Sequence, residues 1–154
     1  EDFYSQVLPW QRITAYNQFC ITKPGTIILD SMAFISNAEN QAKLLLAILN
    51  SNLIYFWIKK TVHEYGSSGF RLSNQYVEII PIPKLKETEI IHFNKVVDEI
   101  LFAIENQHET ESFEKKLNLM VYKLYNITDE EIIFIESNNQ KHLTKSDSSN
   151  VNSK

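Results

Sequence analysis

The chain has 154 residues, with 15 Lys and Arg, 19 Asp and Glu, four His, one Cys, three Gly and four Pro. That length suits one domain, or one domain with an appendage, and it can bury a real core. A lone cysteine, Cys20, excludes an internal disulfide framework and a cysteine-based zinc site, and a formal net charge of −4 gives no basic stripe of the kind a free-standing nucleic-acid binder carries.

The first 35 residues read as strand and turn. Leader features are missing: no basic segment followed by an apolar core and a small-residue cleavage site opens the chain. The sequence starts at Glu1 without an initiator Met, which reads as a fragment of something longer. Residues 11–16 alternate weakly. Lys23-Pro24-Gly25 is a turn signal, because Pro fixes φ and Gly accepts positive φ. It separates Phe19-Cys20-Ile21-Thr22 from Thr26-Ile27-Ile28-Leu29, and Met32-Ala33-Phe34-Ile35 follows. These runs are apolar and rich in β-branched residues, so three or four short strands are expected.

Ser36-Asn37-Ala38-Glu39 fits a capping box and predicts a helix carrying residues 38–49. Asn50-Ser51-Asn52 reads as an end and a restart, with Ser51 as the next N-cap; a single kinked helix is the alternative. The second helix runs to about Tyr65, with Gly66 at its C-terminal cap. The apolar stretch 44–58 is interrupted by those polar residues and is shorter than the roughly 18 apolar residues a membrane span requires, so it belongs to a core. Gly66-Ser67-Ser68-Gly69 predicts a loop. Tyr76-Val77-Glu78-Ile79-Ile80 predicts a strand that Pro81 and Pro83 end.

From Glu87 the apolar residues recur at three and four positions, predicting a helix over 87–106. A second helix follows over 113–125. Thr128-Asp129-Glu130-Glu131 fits another capping box and opens a short third helix. Residues 138–154 are Asn-, Ser- and Lys-rich and predict a disordered tail. The expected fold class is α+β: a small mixed or antiparallel sheet from residues 8–35 and 75–81, packed by the helix pair, then a C-terminal helical section. The expected units are 1–84 as a sheet-plus-helix-pair core, 85–137 as helices packing on it, and the tail.

No HExxH, P-loop, GxGxxG or GxSxG occurs, and the four His are not spaced as metal pairs. Cys20 sits among apolar neighbours and reads as a buried structural thiol. No Asp/Asn-Pro-Pro-Tyr/Phe appears, the motif of an adenine-N6 methyltransferase active site. The chain carries no catalytic residue of its own on this reading. Its charge is unevenly divided: residues 1–84 hold seven cations and six acids, residues 85–154 eight Lys and 13 acids. The stretch with the most binding chemistry is 59–71, where Lys59 and Lys60 precede a small-residue loop and then Phe70-Arg71. Small residues let a backbone approach a phosphate, and Arg pairs bidentately with guanine or phosphate. The same Lys residues also complement a helix C-terminus without any ligand.

Three blocks appear in a recognisable order. The first is Leu45-Leu46-Ala47-Ile48-Leu49-Asn50-Ser51-Asn52 running to Lys59-Lys60, followed by the Gly/Ser loop, Phe70-Arg71 and Gln75-Tyr76-Val77-Glu78-Ile79-Ile80-Pro81-Ile82-Pro83. Upstream lie Leu8-Pro9-Trp10-Gln11-Arg12-Ile13 and Asp30-Ser31-Met32-Ala33-Phe34-Ile35, and downstream lies the run from Leu117 to Ile132. Over about residues 8–136 the chain resembles the TaqI-like C-terminal specificity domain of adenine-specific DNA methyltransferases and fused restriction-modification enzymes. The specificity subunits of type I restriction systems share a related arrangement.

The resemblance implies a target-recognition domain for double-stranded DNA. It implies an upstream domain of the same chain that binds S-adenosylmethionine and methylates adenine N6, with Mg2+ where the parent also cleaves. It implies no cofactor in this fragment, no membrane partner, and a bacterial or archaeal cytoplasm. Arg71 is the first candidate DNA contact, for phosphate or guanine. Lys59, Lys60 and His63 are phosphate candidates, and Gln75 is an adenine candidate. Ser67, Ser68 and Gly69 offer backbone N–H groups, while Arg12 and Lys23 are weaker candidates from the entry strands. The rival reading is a protein-docking module, such as a type I specificity-subunit fragment, with Phe93, Val97, Leu101, Phe113, Leu117 and Leu124 as its interface. Against it stands the expectation that this seam closes the domain's own core.

Overall fold

Leu8, Pro9 and Trp10 form a strand buried on both faces, β1 (Leu8–Gln11), which pairs antiparallel with β3 (Met32–Ile35) so that Trp10 lies opposite Ala33. The structure is a computed structural model that describes residues 5–66 and 69–150, the side chains of Glu39 and of 141–150 excepted. Phe19 bridges Trp10 on the other edge of β1, and Cys20 N and Thr22 N donate to Pro9 O and Val7 O. The run 19–22 is thus an irregular companion strand. Thr26-Ile27-Ile28-Leu29 is not a strand: the chain turns at Lys23–Thr26 with Gly25 at φ 83°, and Ile27 and Leu29 stand in solvent. Cys20 is exposed rather than buried, its thiol leaning on Pro9 O at 3.7 Å.

A second antiparallel sheet has the order β2-β5-β4, built from β2 (Ile13–Thr14), β4 (Glu64–Tyr65) and β5 (Gly69–Arg71). All pairings in both sheets are antiparallel. The strand expected at 76–80 is absent; α3 (Asn74–Glu78) stands there. The apolar residues of that run fit either period. Val77 and Ile80, three apart, turn toward the core with Tyr76, whereas Ile79 is 62% exposed, so the 3.6 period prevails over alternation.

A 3-10 turn (Glu39–Gln41) leads into α1 (Ala42–Leu49), followed by α2 (Asn52–Thr61). The capping box expected at Ser36 does not form; α1 begins after Gln41 without a side-chain cap. Six of the eight α1 residues are buried, which makes it the central helix. Ser51 does cap α2, its Oγ accepting from Ile54 N at 3.3 Å, so the pair is two helices and not one kinked helix. The structure ends α2 at Thr61, earlier than the sequence suggests, and Glu64-Tyr65 turns into strand. Gly66 therefore serves the β4–β5 hairpin at φ 67° and does not cap a helix.

Helices α4 (Glu87–Glu105), α5 (Glu111–Leu124) and α6 (Asp129–Asn150) complete the α+β fold. Two of their ends are Schellman turns. Gln107 N and His108 N donate to Ile104 O and Ala103 O after α4, and Asn126 N and Ile127 N donate to Lys123 O and Tyr122 O after α5. Gln107 and Asn126 hold positive φ there. The Thr128–Glu131 capping box forms as expected, with Thr128 N donating to Glu131 and Glu131 N to Thr128 Oγ1. Phe93, Val97 and Leu117 are buried in the common core, and Leu101 and Leu124 pack against it. Five of the six seam residues that the docking-module reading needs are thus spent on the domain itself, Phe113 being the exception.

A polar cluster fastens the last helices to the start of α2. Asn52 Nδ2 donates to the Glu136 carboxylate at 2.9 Å, Tyr122 Oη donates to Glu136 Oε1 at 2.7 Å, and Asn52 N donates to Asn118 Oδ1 at 2.7 Å. Asn139 Nδ2 donates to Asn52 O at 3.0 Å. Over the range 138–154, expected to be a disordered tail, the described residues continue α6 to Asn150, and Asn139 is buried. Residues 151–154 lie outside the described residues. No helix among the described residues is long and apolar enough to cross a membrane.

Candidate functional site

Arg71 owes its position to strand pairing. In β5 the residues alternate, so Phe70 turns into the core while Arg71 turns out to solvent. On one side Arg71 lies opposite Ile13 of β2, and on the other its N–H donates to His63 O at 3.4 Å. Leu72 N donates to Arg12 O at 2.7 Å, which ties Arg12 to the same sheet. The Trp10 indole fixes the end of β5 from behind, donating to Leu72 O at 2.9 Å in the core. Gly69 packs closely: a Cβ there would press on Tyr65 O at 3.2 Å and reach Thr14 O at 3.6 Å, an ordinary contact.

Two clefts meet at Arg71. One, of about 460 Å3, is lined by Gln11, Arg12, Ile13, Asp30, Ser31, Tyr65 and Arg71. The other, of about 330 Å3, is lined by His63, Arg71, Ser73, Gln75 and Tyr76. The His63 and Tyr76 rings meet edge to face, with centroids 6.4 Å apart. Among the described residues no carboxylate oxygen lies within 4 Å of either guanidinium, because the ion pairs are Lys43–Asp98, Lys115–Glu111 and Lys116–Glu99. Both Arg side chains are therefore available to an anionic or hydrogen-bonding ligand.

Four of the candidates read from the sequence, Arg71, Arg12, His63 and Gln75, line these two clefts. The lysines do not. Lys59 Nζ donates to Asn138 O at 2.9 Å and lies 4.8 Å from the Tyr55 ring. Burial, and then the neighbouring Lys60 charge, push its ammonium below the ordinary pKa. Lys60 leans over Phe56 at 5.5 Å, and Phe56 in turn meets Phe134 of α6. Lys23 sits in the exposed turn before Ile27. Ser67 and Ser68 lie outside the described residues. Tyr65, at the start of the stretch expected to bind, lines a cleft as well, and so do Tyr76, Gln11 and Asp30, which nothing in the sequence marks as contacts. Tyr76 was assigned to a strand, and only the turn of α3 brings it beside His63.

The blocks of sequence around the clefts are structural. Asn50 accepts from Phe19 N at 2.9 Å and donates to Phe19 O at 2.9 Å and to Leu46 O at 3.1 Å. It joins the α1–α2 corner to the chain that leads out of β2. Asn17 Nδ2 reinforces that corner, donating to Leu49 O and Ser51 O.

A family model of the TaqI-like C-terminal specificity domain matches residues 3–82, just over half of the chain. The chain belongs to this family. The match takes in both sheets, α1, α2 and α3, and hence every residue lining the two clefts. No curated protein matches the chain. A TaqI-like specificity domain is the DNA-recognition part of methyltransferases and restriction enzymes, and that is the role of this chain. Such a domain has no cofactor of its own. Among the described residues no group of three or more His, Cys, Asp or Glu is placed to hold a metal ion.

Proposed function

We propose that this specificity domain reads double-stranded DNA through the outer face of β2-β5-β4 and the adjoining turn of α3, on behalf of an adenine-N6 methyltransferase domain that precedes it in the parent chain. Phosphate contacts set the register of such a complex and base-edge contacts specify it. Arg71, on the ridge between the two clefts, is the central contact, with Arg12 and Gln75 on either side and His63 toward a phosphate. Lys60 is a flanking phosphate contact, and Gly69 places backbone near the duplex. Ser67 and Ser68 are donors of backbone N–H groups to phosphate, and Lys59, held by Asn138, is the weakest of the set. The upstream domain supplies S-adenosylmethionine and the flipped-base chemistry, and Mg2+ where the parent also cleaves. The setting is a bacterial or archaeal cytoplasm.

The observation that carries this reading is the convergence on Arg71 of two clefts whose cations have no acidic partner among the described residues. The acidic total charge is no obstacle, because the excess of acids lies beyond residue 84.

The test is to express the full-length protein in a methylation-free host and map modified bases by long-read sequencing, with wild type beside Arg71→Ala. Binding is measured in parallel against salt. Adenine methylation at one short motif is expected, with Arg71→Ala weakening binding by about 1–3 kcal/mol. A base contact relaxes one position of the motif, whereas a phosphate contact lowers the salt slope by about one. Unchanged methylation, motif and affinity in Arg71→Ala and Arg12→Ala would refute the assignment of this face.

A further inference from the structure

The larger cleft contains something a phosphate site should not: a carboxylate. Asp30 is exposed, follows directly on the apolar run that ends at Leu29, and lines the same cleft as Arg12 and Arg71. Although it shares that cleft with two guanidiniums, it forms no ion pair with either within 4 Å. Its backbone is held in place, since Met32 N donates to Leu29 O and Arg12 N to the adjacent Ser31 O. The backbone that carries the acid is thus held at the cleft, and the carboxylate forms no ion pair with either cation. The smaller cleft, lined by His63, Arg71, Ser73, Gln75 and Tyr76, has no acid in its lining.

This difference divides the labour between the two clefts. A phosphate seated beside Asp30 meets like charge, which cations alone would not impose. A base edge does not. In the major groove guanine presents two acceptors, N7 and O6, which suit a guanidinium, and its partner cytosine presents an amine donor, N4, which suits a carboxylate. An Arg and an Asp lining one cleft match both halves of a single base pair. We propose that Asp30 is a specificity-determining residue that accepts a hydrogen bond from the N4 amine of a cytosine, while a guanidinium of the same cleft donates to the paired guanine. The smaller cleft takes the backbone or an adenine. This inference rests on the reading of the β2-β5-β4 face as the DNA-facing surface.

The experiment is selection of bound sequences by the full-length protein from a randomised duplex pool, for wild type, Asp30→Ala and Arg71→Ala. Asp30 is exposed, so the substitution spares the core. The wild-type motif is expected to contain a G·C pair whose cytosine preference falls about ten- to a hundredfold in Asp30→Ala, with the other positions kept and non-specific affinity equal or higher. Three results overturn the proposal: full discrimination retained at every position by Asp30→Ala, relaxation at a base other than cytosine, or an even loss of affinity across all sequences. Where Arg71→Ala weakens binding and Asp30→Ala changes no preference, this inference alone falls. Where Arg71→Ala also changes nothing, or no motif is selected, the DNA-facing surface falls with it.

Discussion

Asn50→Ala tests whether the corner between α1 and α2 is held by one side chain. Asn50 satisfies both backbone groups of Phe19, a residue that is 5% exposed. Truncation orphans Phe19 N and Phe19 O together. Leu46 O is spared, because it also accepts from Asn50 N at 3.2 Å. A buried group left without its partner costs about 1–3 kcal/mol. Two such groups at a partly buried site give a loss of about 2–4 kcal/mol, a large share of the roughly 5–15 kcal/mol that holds a domain folded. Equilibrium urea unfolding should show a lower midpoint at unchanged m, with a fall in Tm of about 5–15 °C for a chain of this size. Asn106→Ala is the control, since the exposed Asn106 amide donates only to Phe102 O within its own helix. It should lose less than about 0.5 kcal/mol. Equal losses in the two variants, or a loss at Asn50 below about 0.5 kcal/mol, would refute the claim that Phe19 depends on this side chain.

The remaining predictions concern protonation and a helix end. Burial, with the neighbouring Tyr16 charge, pushes Tyr55 up to about 12 from 10.0, and burial pushes Tyr125, whose hydroxyl donates to Pro81 O, up to about 12 from 10.0. The folded state therefore keeps these protons more tightly than the unfolded chain. Their contribution is fully present below pH 10 and is lost as pH rises from 10 to 12. Phenolate absorbance should lag in the native chain and then rise together with loss of circular dichroism. Full ionisation of all tyrosines around pH 10 with the dichroism intact would contradict this. Gln107→Gly should raise stability by about 0.5–1 kcal/mol, because Gln107 holds φ 57° at the end of α4 and glycine bears that conformation without strain. An unchanged or lower Tm would argue against strain at that turn.

The sequence displayed the helices better than the strands, for a physical reason. Helices α4 and α5 repeat their apolar residues over 19 and 14 positions, enough to distinguish one period from another. The strands are two to four residues long, and outside the β4–β5 hairpin their partners come from far along the chain. β5 pairs with residues more than fifty positions earlier, a relation that no local pattern encodes. Tyr76–Ile80 is too short to separate period 2 from period 3.6, so its strand reading failed. Capping boxes divided in the same way. Thr128–Glu131 is followed at once by α6, whereas Ser36–Glu39 is overruled by Asn37 at φ 57° and a 3-10 turn. The site was half legible. Arg12, His63 and Arg71 stand out by residue type, but their meeting with Tyr65, Asp30 and Tyr76 depends on the β2-β5-β4 pairing. Lys59 and Lys60 stood out by residue type too, and packing against α6 drew Lys59 away.

The hairpin that carries Arg71 is braced on both sides, since β5 lies between β2 and β4. Slipping β5 by one residue would bury the guanidinium and expel Phe70, which is 1% exposed, so the register is strongly enforced. The place of Arg71 along the strand is therefore set twice, by the burial of Phe70 and by the pairing with Ile13 of β2. A lineage changing its target sequence can exchange exposed side chains on these strands while Arg71 keeps its reach, and a designer can graft them on the same terms.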